Sequence, residues 1–154
     1  MQREFQLHSV DNTAALGREL ARRLFRGAVV GLIGQLGAGK TTLIQTMTKE
    51  LGIDPRVVSS PTFGLIHEYT GKLPVFHFDV YRLKNVSELA ALGFDEYLTS
   101  DGVCLIEWAD RIREALPEQC LVVELLHQAQ GRRAVLTAVG DPYKAIIRDL
   151  PVVL

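Results

Sequence analysis

The stretch GQLGAGKT at residues 34–41 constrains this chain more than any other feature. It fits the pattern G-x-x-x-x-G-K-[ST] of a phosphate-binding loop, and it lies between an apolar run at 28–33 and a helical pattern at 42–47. Glycines allow backbone N–H groups to surround a phosphate, and the helix that follows adds the positive end of its dipole. The sequence therefore predicts a strand, a P-loop and a helix that bind the phosphates of a nucleotide.

Each position of the loop has a predicted role in holding that nucleotide. The Lys40 ammonium would place a charge at the β- and γ-phosphates, and the Thr41 hydroxyl is a hard oxygen ligand for Mg²⁺. The residues expected to bind the cofactor are those of the loop and the first helical turn: Gly34, Gly37, Ala38, Gly39, Lys40, Thr41 and Thr42.

Length and charge limit the classes of protein to which the chain can belong. With 154 residues it is expected to form one domain, 1–154, and a net charge of −1 gives no basic footprint for non-specific binding of nucleic acid. The charged start at 1–5 differs from a signal peptide, and no apolar run approaches ~20 residues, so we expect a cytoplasmic protein without a membrane span. Cys104 and Cys120 lack metal-ligand spacing and are expected to be reduced, buried thiols.

The order of strand and helix patterns predicts the fold. Strands are expected at 4–7, 28–33, 63–69, 75–80, 102–106, 121–127 and 134–139. Helices are expected at 13–25, after the P-loop as far as Gly52, at 87–92 with Ser87 as its cap, and at 94–98, 109–116 and 143–150. Turn signals pair 63–69 antiparallel with 75–80, and 121–127 with 134–139. The prediction is an α/β protein with a P-loop NTPase-like three-layer fold, whose parallel core sheet carries added antiparallel strands.

Hydrolysis at a P-loop requires a metal ion and a positioned water, and an acid at the end of a neighbouring strand normally anchors the metal. Glu107 ends the apolar run 103–106, and Asp79 ends the run 75–78, although either acid could instead be a helix cap or a surface charge. His77, Asp79 and Tyr81 alternate, so they would share one face if the strand continued through all three. Asp79 could then hold a water or accept a proton with His77 beside it, whereas a packed strand histidine is the alternative for His77.

Two further residues are candidates by position. Thr62 follows Ser60 and Pro61 in a loop after the P-loop helix, where switch-type NTPases carry a hydroxyl that meets Mg²⁺ and the γ-phosphate. Ordinary turn chemistry is the alternative for Thr62. Trp108 directly follows the candidate metal ligand, and it is expected either in the core or beside the nucleotide site.

Four motifs taken together resemble one family. They are GQLGAGKTT at 34–42, SPTF at 60–63, HFDVYRL at 77–83 and EW at 107–108, in this order. The chain is similar to the TsaE (YjeE) family, the small bacterial ATPases of threonylcarbamoyladenosine tRNA modification. The motifs cover about 13–108, and the remainder agrees only in length and in its hairpin pattern.

The resemblance implies an ATPase that uses ATP and Mg²⁺ and works with TsaD- and TsaB-like proteins, so that it meets tRNA only through that complex. Lys40 and Thr41 would hold phosphates and Mg²⁺, with Glu107 as the second metal ligand. Asp79 and His77 match the catalytic segment of the family, Thr62 its switch-like loop, and Trp108 an aromatic residue next to the nucleotide. The family usually has an acid after the first glycine of the P-loop, where this chain has Gln35.

Other reactions remain open on such a fold. A small-molecule or nucleoside kinase would need a pocket for the phosphate acceptor and a lid that bears an arginine, for which 110–113 is the only candidate. A GTPase-like switch would carry the guanine-reading N-K-x-D motif, which the sequence lacks.

Overall fold

The computed structural model describes residues 1–35, 37–58 and 66–154. Its strands are β1 (Gln2–Leu7), β2 (Val29–Gly34), β3 (Ile66–Tyr69), β4 (Val75–Asp79), β5 (Val103–Glu107), β6 (Cys120–His127) and β7 (Arg132–Val139). Its helices are α1 (Val10–Ala21), α2 (Lys40–Glu50), α3 (Ser87–Ala91), α4 (Phe94–Leu98) and α5 (Asp141–Arg148), and 3-10 segments lie at Pro55–Val57 and Ala109–Ala115.

The strands form a single sheet in the order β1-β7-β6-β2-β5-β4-β3. The P-loop strand β2 is parallel to both of its neighbours, β5 and β6, and β4 is parallel to β5. The remaining pairs, β1 with β7, β6 with β7 and β3 with β4, are antiparallel. The predicted α/β class, with a parallel core and antiparallel additions, is therefore confirmed, as are both predicted hairpins.

Two apolar clusters cover the opposite faces of this sheet. Alternate residues of β5 point to opposite faces, so Leu105 packs in one cluster and Ile106 in the other. The first cluster receives α1, α2 and α5, and the second receives α3, α4 and the 3-10 segment Ala109–Ala115. The result is the expected arrangement of helix, sheet and helix. No helix in the described part of the chain is long and apolar enough to cross a membrane.

Helix boundaries differ from the predicted ones where local hydrogen bonds decide them. Helix α1 begins three residues before the predicted start because Ser9 and Asn12 form a capping box, with the Ser9 hydroxyl accepting from the Asn12 N–H at 3.3 Å. Ser87 is the first residue of α3, and its cap is Val86, so the predicted cap is wrong. The predicted helix 109–116 is a 3-10 segment with non-helical backbone at Ile112.

Candidate functional site

The P-loop and the start of α2 form a concave backbone surface at the carboxyl end of β2. Gly39 caps α2 with a left-handed backbone (φ 106) and has no side chain that could bond to the first N–H groups of the helix. Gly34 is needed for a different reason, since a Cβ at this position would lie 2.8 Å from the Leu125 carbonyl oxygen of β6. The start of α2 thus presents N–H groups that its cap residue leaves without a side-chain partner, at the positive end of a helix dipole, which favours an anion.

The two candidate acids lie at this same edge of the sheet. In the parallel pair of β4 and β5, Asp79 is the register partner of Glu107, and in the pair of β2 and β5, Leu32 is the partner of Glu107. Both acids therefore end their strands level with the start of the P-loop. The register accordingly brings together the two carboxylates that the sequence singled out.

Glu107 is buried and forms a close pair with His77. The distance between His77 Nε2 and Glu107 Oε2 is 2.7 Å, and the exposed fractions of the two side chains are only 2% and 5%. Because a carboxylate only accepts hydrogen bonds, Nε2 is the donor. The other ring nitrogen, Nδ1, is buried without a hydrogen-bond partner among the described residues. The histidine thus orients the Glu107 carboxylate from the side of β4.

Lys40 is the buried cation of the site. Its ammonium donates to the Gly34 carbonyl and lies 3.6 Å from the centroid of the Trp108 ring. Burial lowers the pKa of Lys40, and the negative charges of Glu107, Asp110 and Asp79 act in the opposite direction. The sequence had not singled out Asp110 as a residue near Lys40, although it stands only three residues after Glu107.

Asp79 is half-buried and held by the chain that follows it. Its Oδ1 accepts a hydrogen bond from the Tyr81 N–H at 3.0 Å. Burial raises the pKa of Asp79, and the charge of Glu107 adds to this effect, whereas the hydrogen bond from Tyr81 opposes it. Strand β4 ends at Asp79, so the condition under which Tyr81 would share the face of His77 is not met. The Tyr81 ring instead lies on Trp108, with 4.8 Å between the ring centroids.

Trp108 lies between Lys40 and Tyr81 and has a strained backbone conformation. It is the only described residue other than glycine with a positive φ, 61°, and this conformation costs about 1–3 kcal/mol, which surrounding contacts must offset. Its side chain contacts both Lys40 and Tyr81.

A second residue that sequence analysis missed comes from the β6–β7 hairpin. Arg132 Nη2 donates to the Gly37 carbonyl oxygen at 3.1 Å and so anchors the tip of the P-loop. The two residues are 95 positions apart, so no local pattern could have linked them. Next to this loop, a cavity of about 330 Å³ is lined by Ile33, Gly34, Gln35, Trp108, Asp110 and 124–127.

Comparison with known proteins agrees with this geometry. The family model described as "Threonylcarbamoyl adenosine biosynthesis protein TsaE" matches residues 7–135. The chain belongs to the TsaE family. It is 42% identical to the tRNA threonylcarbamoyladenosine biosynthesis protein TsaE of Bacillus subtilis, over 91% of this chain and 88% of that protein. It is 38% identical to the TsaE protein of Treponema pallidum, over 84% of this chain and 96% of that protein.

A solved structure resembles the whole TsaE-family fold seen here. The crystal structure of YdiB from Bacillus subtilis superposes with a TM-score of 0.80 and 34% sequence identity, and the match covers 97% of this chain and 93% of that one.

The donor set of this TsaE-family site fits Mg²⁺ bound together with phosphates. Within 1–35, 37–58 and 66–154, no cluster of three or more His, Cys, Asp or Glu side chains is suited to hold a metal ion. Mg²⁺ characteristically takes one or two protein oxygens and completes its shell with water and phosphate. Thr41 is exposed at the first turn of α2, and Glu107 lies at the facing strand end. Thr62, the predicted switch hydroxyl, lies outside the described residues.

Proposed function

We propose that this TsaE-family protein binds ATP and Mg²⁺ at the P-loop and hydrolyses the γ-phosphate. The observation that carries the proposal is the convergence of Lys40, Asp79 and Glu107 at the uncapped start of α2. A buried ammonium and free helix N–H groups suit phosphates, and two adjacent strand-end carboxylates suit a metal ion and a water.

Each residue has one task in this proposal. Lys40 and the N–H groups of the loop bind the β- and γ-phosphates, and the backbone of 37–42 wraps them. Thr41 and Glu107 would hold Mg²⁺, which would neutralise negative charge on the phosphate oxygens. His77 keeps the Glu107 carboxylate oriented toward the loop. Trp108 packs on Lys40 at the mouth of the site.

Asp79 is the proposed base. It orients a water toward the γ-phosphorus and takes its proton while the new P–O bond forms and the bond to the β–γ bridging oxygen breaks, which yields ADP and phosphate. The hydrogen bond from the Tyr81 N–H to Oδ1 fixes the Asp79 side chain, so the other oxygen, Oδ2, can serve the water. Thr62 is proposed to join this site as the switch hydroxyl.

The biological role that we propose follows from the family. The relatives are named for biosynthesis of threonylcarbamoyladenosine in tRNA. We therefore infer that ATP turnover acts on a complex of TsaD- and TsaB-like proteins in the cytoplasm, with no direct modification of the base by this chain.

Phosphate release, measured with and without a purified TsaD–TsaB-type pair, tests the proposal. We expect slow release alone and faster release with the pair. Lys40→Ala should lose nucleotide binding, whereas Asp79→Ala should keep binding and lose turnover by about 10²-fold or more, the usual effect of removing a general base. Arg113 is an exposed residue of the 3-10 segment, so Arg113→Gln is the matched control and should behave as wild type.

Two results would contradict this assignment. Transfer of the γ-phosphate to a nucleoside, without stimulation by the pair, would favour a kinase. Unchanged turnover in Asp79→Ala would remove Asp79 from the mechanism.

A further inference from the structure

Four side chains form a continuous stack from the P-loop to the protein surface. Lys40 Nζ lies 3.6 Å from the Trp108 ring centroid, the Trp108 and Tyr81 centroids are 4.8 Å apart, and the Arg111 guanidinium lies 4.8 Å from the Tyr81 centroid. Exposure rises along the stack, from 6% at Lys40 to 44% at Tyr81. We call these four residues, Lys40, Trp108, Tyr81 and Arg111, the cation–aromatic stack.

The outer half of the stack is held in place by its own local bonds. The Tyr81 N–H donates to Asp79 at 3.0 Å, and the Arg111 N–H donates to the Trp108 carbonyl oxygen at 3.0 Å. Arg111 also lies within 6.0 Å of the Trp108 ring centroid. Tyr81 is therefore fixed to one candidate acid through its backbone and to Trp108 through its ring.

The stack restrains the Lys40 side chain, which must be ordered when phosphate binds. A lysine side chain carries about 2 kcal/mol of rotamer entropy, and a ligand that has to order it binds more weakly by a corresponding amount. Here the aromatic face of Trp108 holds the ammonium before any ligand arrives, and the Tyr81 ring packs against Trp108. Removal of Tyr81 would free Trp108, and with it Lys40.

We infer that Tyr81 and Arg111 are positioning residues, which act through Trp108 to hold the Lys40 ammonium at the phosphate loop. The inference rests on the proposed function, because it assigns Lys40 to phosphate binding. It concerns two exposed residues whose recorded ring contacts are with each other and with Trp108. Their effect should fall on nucleotide affinity and leave the turnover of the bound nucleotide largely intact.

Calorimetric titration with Mg-ATP and the emission of Trp108 test the inference together. Trp108 is the only tryptophan, so the emission reports on the stack alone. Tyr81→Leu should raise the dissociation constant about threefold to tenfold and shift the emission of the nucleotide-free protein to longer wavelength, because the indole becomes more exposed. Tyr81→Phe keeps the ring and should match wild type. Arg111→Gln should weaken affinity about twofold, whereas the neighbouring Arg113→Gln should not.

A double-variant cycle decides whether Tyr81 acts through Trp108. In a Trp108→Leu background, Tyr81→Leu should cause no further loss of affinity, because the intermediate contact is already absent. Equal losses in both backgrounds would overturn the inference, and so would wild-type affinity in Tyr81→Leu. If Trp108→Leu fails to fold, an unchanged emission spectrum and affinity in Tyr81→Leu still refute it. Wild-type protein that bound no nucleotide would overturn the proposed function and this inference with it.

Discussion

The His77–Glu107 pair buries two polar side chains between the neighbouring strands β4 and β5. Both are almost fully buried and are joined at 2.7 Å. Loss of one partner leaves the other buried without its hydrogen bond, so His77→Leu should destabilise the protein by about 3 kcal/mol in urea unfolding. Glu107→Leu should cost a similar amount. His77→Gln, which keeps a donor, is the matched control and should cost less.

The double variant separates the structural role of this pair from its proposed catalytic role. With His77→Leu and Glu107→Leu combined, neither polar side chain of the pair remains, so stability should return to within about 1 kcal/mol of wild type. Turnover should stay absent, because the carboxylate proposed to bind Mg²⁺ is gone. Two losses of stability that simply add would show that the residues do not act as a pair.

For single residues, the sequence predicted which residues lie at the site better than it predicted which residues contact each other there. Asp79 and Glu107 were found because an acid at the end of an apolar run is a local signal. Their proximity depends on the register between β4 and β5, which no local pattern encodes. The contact of Arg132 with Gly37, and the left-handed backbone of Trp108, depend on tertiary structure in the same way. The roles of the site residues stay predictions.

Among the helices, the packing of α1 against α2 restrains the P-loop helix. Gly17 of α1 faces α2, where a Cβ would lie 3.0 Å from Thr46 Cβ and 3.2 Å from the Leu43 carbonyl oxygen. Gly17→Val adds a branched side chain to this contact and should destabilise the protein by about 1–3 kcal/mol. Because α2 begins at Lys40, nucleotide affinity should fall too.

Arg18→Val on the same helix is the control for that change. Arg18 is exposed, so its replacement tests only the lower helix propensity of valine and should cost about 0.5 kcal/mol. Urea unfolding of both variants, with titration of Mg-ATP, makes the comparison. Equal losses of stability would show that the close approach of α1 and α2 does not matter.

The elements themselves were largely predictable because each carries its own periodic pattern. All seven strands and both hairpins were predicted, although the part of the predicted strand 63–69 at 63–65 lies outside the described residues. Errors arose where short-range geometry competes with periodicity. The 3-10 segment Ala109–Ala115 has a helical composition, but the left-handed Trp108 before it and the kink at Ile112 prevent a regular α-helix.

In the molecule as a whole, the parallel centre of the sheet is the most deeply buried part, and it contains an ionisable thiol. All five residues of β5 are buried, including Cys104, whose thiol lies 3.5 Å from the Tyr97 carbonyl oxygen. Both cysteines are free, as expected from the sequence. Burial raises the pKa of Cys104 to about 12, whereas a cysteine in the unfolded chain titrates near ~8.5.

This difference predicts how the stability of the whole molecule depends on alkaline pH. Above about pH 8.5 the unfolded chain loses a proton that the folded protein retains, so the free energy of unfolding falls with rising pH, by up to about 1.4 kcal/mol per pH unit. Below that pH the thiol is protonated in both states and contributes no pH dependence. The stability present at neutral pH is thus lost progressively as pH rises toward the folded pKa.

Urea unfolding in the presence of a reductant, at several pH values between 7 and 10, tests this expectation. Between pH 8 and pH 10 wild type should lose about 2 kcal/mol more than Cys104→Ala, since alanine removes the titrating group. The cavity left by the substitution lowers stability by the same amount at every pH, so only the difference in slope is diagnostic. Cys120 remains in both proteins, and any contribution from its pKa, which burial also raises, therefore cancels. Parallel curves for the two proteins would mean that the Cys104 thiol ionises as readily in the folded sheet as in the unfolded chain.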